Sequence, residues 1–143
     1  MRDYKSILLV VDLSDDSRII GERAKAIAAC YQSDITLLHV VEYVPVEPMG
    51  EALLPTVQIE GELVERAKVR LTELAQALSL PNSRLLVETG GIKTEIIRTA
   101  QRLNCDLIVL GSRERHGLAI LLNFTEDTIL HAAPCDVLAV RLH

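Results

Sequence analysis

Five short apolar runs punctuate the chain: Ile7 to Val11, Ile35 to Val41, Leu85 to Val87, Leu107 to Leu110 and Val137 to Val140. They are nearly continuous rather than alternating, which is the pattern of strands buried on both faces. Between them apolar positions recur at helical spacing. The first set is Ile20, Ala24, Ile27, Ala28 and Tyr31, and the second is Val57, Gly61, Val64, Leu71, Ala75 and Leu78. A third is Ile92, Ile96, Ala100 and Leu103, and a short fourth runs from Thr128 to Ala132. Strict alternation of strand and helix requires crossover connections, so the chain is predicted to form a parallel sheet with helices on both faces. Ligands are then expected beyond the carboxyl ends of the strands. The fold class is α/β, a single doubly wound domain.

The punctuation fits these elements. Ser14 stands where a helix N-cap belongs, with Asp15 and Asp16 in a first turn that favours acids. Pro81 and Asn82 are expected to stop the second helix, Gly90 and Gly91 to open the third, and Pro134 to follow the last. The stretch from Glu42 to Pro55 contains Pro45, Pro48, Gly50 and Pro55, and reads as a surface loop. The most informative segment is Asp106 to Cys135, which reads as a buried strand, a glycine turn at Gly111, a long loop and a capped helix. That order of parts suits a nucleotide site.

Composition narrows the partners. The 143 residues, 49% hydrophobic and 24% charged, fit one domain with a sizeable core. A net charge of −5, with no cluster of Lys and Arg among aromatics, argues against nucleic acid as a partner. No apolar run approaches the ~20 residues that cross a bilayer. The start, MRDYKSILLVV, enters a strand pattern at once instead of a signal peptide, so no membrane partner and a cytoplasmic location are expected. Cys30, Cys105 and Cys135 form no C-x-x-C pair and read as buried thiols. His39, His116, His131 and His143 lack metal-ligand spacing, so no metal site is expected.

Familiar catalytic signatures are missing. The dinucleotide fingerprint G-x-G-x-x-G is replaced after the first strand by DLSDDS, and no P-loop G-K-S/T occurs. A phosphoacceptor receiver domain would need Asp at the end of the third strand and Lys at the end of the fifth. Glu88 with Thr89 and Arg141 stand there. No G-x-S-x-G elbow supports a serine hydrolase. Enzymatic catalysis has no local support.

Five segments in order, ILLVVDLSDDS, LLHVVE, VETGGIKTEIIRTA, DLIVLGSRERHGL and HAAPCDVLAVRL, resemble the universal stress proteins across essentially the whole chain, residues 1–143. The resemblance implies a five-stranded parallel sheet of order 3-2-1-4-5, a homodimer paired along the carboxyl-terminal edge strand, and a role in survival under stress. In nucleotide-binding members an Asp ending the first strand meets adenine and ribose, and a G-x-x-G-x9-G-S/T pattern cradles phosphates. By that match Asp12, Gly111 and Thr125 are retained, Val40 lies where strand backbone contacts adenine, and Ser112 and Arg113 follow Gly111. Glu114 replaces the second glycine and Phe124 the third.

These two departures set the functional expectation. Glycine at a phosphate site lets backbone N–H groups approach closely, which Phe124 obstructs by size. Glu114, with Glu126 and Asp127 at the helix start, sets anions against an anion, although one exposed carboxylate at ~4 Å costs only about 1 kcal/mol in water. Arg113 and Arg115 offer guanidinium forks in partial compensation. The expectation is a dimeric stress-survival protein with protein partners and no tightly held ATP. The alternative is a sensor holding ATP or AMP through Asp12, Val40, Gly111, Arg113 and Thr125. A third reading is a weak autophosphorylating protein using Ser112 or Thr125.

Structural roles compete for the same residues. Asp12 suits a cap of the first helix as well as a ligand contact, and Asn123 with Glu126 makes a capping box for the last helix. His116 reads as an exposed loop residue and His131 as a complement to a helix dipole. Val137 to Leu142 is apolar and falls at a sheet edge, where pairing is invited, with Arg141 and His143 near the partner.

Overall fold

The first two apolar runs form β1 (Ser6–Val10) and β2 (Asp34–Val41), joined through α1 (Ser17–Tyr31). Then follow α2 (Leu53–Ala77), β3 (Arg84–Thr89), α3 (Ile92–Arg102), β4 (Leu107–Arg113) and β5 (Asp136–Leu142). The computed structural model describes residues 3–42, 53–113, 129 and 131–142, with 53–58 as backbone. The five strands are parallel in the order β3-β2-β1-β4-β5, as expected.

Each central strand is buried on both faces, which accounts for the unbroken apolar runs. Ile7, Leu9 and Val11 point into the cluster shared with α1 and α2, which includes Ile20, Ala24, Leu71 and Leu78. Leu8 points the other way, with Leu38, Val40, Ile96, Ala100, Ile108 and Ile129. At the amino end the Asp106 carboxylate accepts the Lys5 and Ser6 N–H groups, both at 2.9 Å, and ties the start of β1 to that of β4. Tyr4 packs edge-on against Tyr31 with centroids 5.3 Å apart, and its hydroxyl donates to Asp136 at 2.8 Å, anchoring the start of β5.

Several element ends differ from the sequence expectation. Ser14 is not the N-cap of α1. The helix opens at Ser17 with Asp16 in the cap position, and no acid lies in its first turn. The reason is that the Ser14 N–H is drawn to the Asp12 carboxylate at 2.9 Å, which makes residues 14–17 a turn ahead of the helix. Helix α2 ends at Ala77, before Pro81, because Ser79 turns left-handed (φ 57°) and Leu80 N–H returns to the Ala75 carbonyl at 2.8 Å. It also begins earlier than the loop reading allowed, at Leu53, so that Pro55 sits in its first turn, where no helical N–H is needed. Gly91 does cap α3, after Gly90 at φ 136°, a conformation that favours glycine.

The thiols also diverge. Cys105 is buried, with the Ser6 hydroxyl 3.7 Å from its sulfur, whereas Cys30 is exposed and Cys135 intermediate. Burial pushes the Cys105 thiol up, which keeps it protonated and inert. No helix among the described residues is long and apolar enough to cross a membrane, and no metal-type cluster of His, Cys, Asp and Glu occurs among them.

Leu71, at 0% exposure, joins α2 to the sheet. Leu71→Ala is expected to lower unfolding free energy by ~2–5 kcal/mol in urea titrations, the range for an aliphatic side chain removed from a close-packed core.

Candidate functional site at the carboxyl ends of the strands

The strand order reverses direction between β1 and β4, and such a switch point opens a crevice at the carboxyl ends of the strands. Asp12 follows β1 there, Val40 lies near the end of β2, and Gly111, Ser112 and Arg113 form the end of β4. The structure therefore brings five of the six sequence-nominated residues to one end of the sheet. Thr125 lies outside the described residues, as do Glu114, Phe124 and the proposed Asn123 and Glu126 capping box.

Asp12 is held in place from its own chain. Its Oδ1 accepts the Ser14 N–H at 2.9 Å and the Ser17 hydroxyl at 3.2 Å. Ser17 is buried at the head of α1, so the carboxylate fastens the loop to the helix start. Burial of the carboxyl pushes its pKa up, but hydrogen bonds from Ser14 and Ser17 together outweigh it, and the net result is below the ordinary 3.8. Next to it Leu13 adopts φ 65°, a left-handed conformation costly for a branched side chain, while burying that side chain in the core.

The two carbonyls flanking Asp12 are engaged from other elements, a feature no sequence pattern signalled. His39 Nδ1 lies 2.8 Å from the Val11 carbonyl, and an Arg70 guanidinium N–H donates to the Leu13 carbonyl. The Val11 N–H in turn bonds the Leu38 carbonyl at 3.0 Å. Because backbone groups alternate in direction along a strand, the peptide N–H and carbonyl of Val40 face the same side, toward the end of β1 and Asp12. The Val40 side chain is packed in the core on the α3 side, so this residue offers the crevice its backbone alone.

Gly111 is not in a turn. Strand β4 continues to Arg113, with Gly111 paired to Val140, Ser112 to Arg141 and Arg113 to Leu142. A Cβ at Gly111 would come within 2.6 Å of Ile20 Cδ1 and 2.9 Å of Leu142 Cδ1. The glycine thus admits two aliphatic side chains from α1 and β5 across β4. Sequence reasoning missed Ile20 and Leu142 in this role because each meets Gly111 from an element distant in the chain, α1 and β5. Ser112 also has an interaction within the fold.

A five-stranded parallel sheet in this order, with its helices, defines a single-domain α/β protein. The model of the universal stress protein family matches residues 3–141. Universal stress protein A homolog 1 of Coxiella burnetii is 40% identical over 138 residues, covering 96% of this chain and 96% of that protein. Homolog 2 of the same organism is 36% identical over 143 residues, covering 99% and 98%. The solved universal stress protein UspA from Lactobacillus plantarum superposes with a TM-score of 0.83 at 28% identity, covering 99% of this chain and 100% of that one. A universal stress protein solved in complex with cAMP shares the fold, with a TM-score of 0.64 at 19% identity and coverage of 97% and 98%. The chain belongs to the universal stress protein family.

Because the folded pKa of Asp12 is lowered, its ionised form stabilises the native state. That contribution is fully present above 3.8 and is lost as pH falls through the folded value. The stability gap between wild type and Asp12→Asn is therefore expected to be constant above about pH 5 and to close in more acid solution, measured by urea unfolding across pH. Gly111→Ala is expected to cost ~1–3 kcal/mol by overpacking against Ile20 and Leu142, read from the same unfolding curves at neutral pH.

Proposed function

We propose that this protein is a cytoplasmic stress-survival factor that works as a homodimer, paired along β5, through protein partners, and that it does not hold ATP tightly. One observation carries the reading. The two motif positions retained within the described residues are both occupied inside the fold, Asp12 by Ser14 and Ser17 and Gly111 by Ile20 and Leu142. The fold needs both residues whether or not a nucleotide binds. The two positions that the family pattern assigns to the other glycines carry Glu114 and Phe124. Side chains there keep the backbone N–H groups from closing on a phosphate, and each hydrogen bond to a charged group so lost is worth ~1.5–3 kcal/mol.

The pairing rests on β5. It is an edge strand whose Ala139 and Arg141 are exposed and whose Val137, Leu138 and Leu142 are half-buried. An edge strand of seven residues, apolar but for Asp136 and Arg141 and paired among the described residues with β4 alone, favours a second copy. A nucleotide-sensing role is the second reading. It is favoured by Asp12 lying opposite the Val40 peptide, and by the relative of the same fold that was solved with cAMP.

Thermal unfolding with and without millimolar Mg-ATP, ADP, AMP and cAMP separates the two. A ligand at 100 times its Kd adds ~2.7 kcal/mol, a shift of several degrees for a domain of this size. No shift beyond a degree or so is expected for any of them. A clear ATP-dependent rise would replace the partner-acting reading with the sensor.

A further inference from the structure

We propose that Arg70 and His39 are positioning residues for Asp12: reaching in from α2 and β2, they hold the peptide carbonyls on either side of it and so fix where its carboxylate points before any ligand arrives. Arg70 stands 57 residues away in sequence and donates to the Leu13 carbonyl. His39 stands 28 residues away and meets the Val11 carbonyl at 2.8 Å. Arg70 lies outside all five family-like segments, and His39, within LLHVVE, lies outside the two that carry Asp12 and Gly111. Each approaches the same three-residue stretch from a different neighbour in the fold.

The stretch needs such support. A leucine in the left-handed region costs about 1–2 kcal/mol and persists only where its surroundings impose it. At Leu13 two things do so: the buried side chain and the guanidinium on its carbonyl. Arginine suits the task because it stays charged at any working pH, and a charged donor makes the stronger class of hydrogen bond. On the other side Val11 is pinned by both of its peptide groups, the N–H to Leu38 and the carbonyl to His39. With Val11 and Leu13 fixed, Asp12 has little freedom left. Its Oδ1 meets Ser14 and Ser17. On the sensor reading, and only there, the carboxylate would receive a ligand hydroxyl; the bracing itself holds on either reading of function.

Arg70 is exposed, so its replacement removes no core contact and the idea can be tested on folded protein. The full chain, labelled with 15N and with 13C at aspartate carboxyls, gives the Asp12 titration and the exchange rate of the Ser14 amide. These are compared in wild type, Arg70→Met, Arg70→Lys and His39→Leu. In Arg70→Met the Asp12 midpoint is expected to rise toward its ordinary value and Ser14 exchange to quicken about ten-fold, while the Leu9 amide in the centre of β1 keeps its rate. Arg70→Lys, which keeps a charged donor, should restore most of both, and His39→Leu should move them in the same direction as Arg70→Met. Unchanged Asp12 titration and Ser14 exchange in Arg70→Met and His39→Leu would overturn the proposal. So would equal acceleration at Ser14 and Leu9, since the loss would then be global. Mg-ATP added to wild type reports separately on the function, through the Val40 amide, and leaves the test of the bracing intact.

Discussion

The structure turns on the corner that Asp12 closes between β1 and α1. One carboxylate oxygen takes the Ser14 N–H and the Ser17 hydroxyl, and so decides where the first helix begins and at what angle it leaves the central strand. From that start α1 lays Ile20 over β4 at Gly111, the one residue type that leaves room for it. Leu142 of β5 fills the same space from the opposite side, so the edge strand, the central strand and the first helix are registered against one another through a missing side chain. Hydrogen bonds of this kind contribute only about 1 kcal/mol net apiece. Their leverage comes from geometry, because the elements they align bury Leu9, Leu71, Leu78 and Val109 completely.

On the proposed reading, the same corner corresponds to the ribose end of a nucleotide site, and its parts separate into two groups. Asp12 and the backbone of Val40 are held in place, whereas the positions that this reading assigns to phosphate carry Glu114 and Phe124. Adenine and ribose contacts alone give weak binding, since phosphate contacts through backbone N–H groups supply much of the affinity of such sites. Gly111 and Asp12 each have a role in the fold that does not depend on a ligand.

Much of the architecture was legible because a parallel sheet buries both faces of its strands, and continuous apolar runs of strand length bounded by turn residues are the direct mark of that burial. Strand order and the placement of Asp12, Val40, Gly111, Ser112 and Arg113 at one end followed from the family resemblance. Local punctuation was less faithful. Ser14 has the chemistry of an N-cap, yet its N–H is claimed by Asp12, and the first helix waits for Ser17. Pro81 marks the end of α2 only loosely, because the left-handed Ser79 had already ended it. Gly111 suggested a turn, but its lack of a Cβ serves packing within a strand. Ile20 and Leu142 were legible as apolar positions of a helix and an edge strand, but neither their meeting at Gly111 nor the roles of His39 and Arg70 carried a signal. What each does depends on a segment far away in the chain, and single-sequence periodicity reports only near neighbours.

On the proposed reading, the replaced glycines, and not the retained Asp12, decide how this protein treats ATP. The Kd for Mg-ATP, measured by calorimetry on wild type and on the double variant Glu114→Gly with Phe124→Gly, tests it most directly. Restored access to the backbone N–H groups should tighten binding by at least about ten-fold, from a wild-type affinity no better than millimolar. Equal affinities in the two proteins, or micromolar binding by wild type, would contradict that claim and return the crevice to a working nucleotide site.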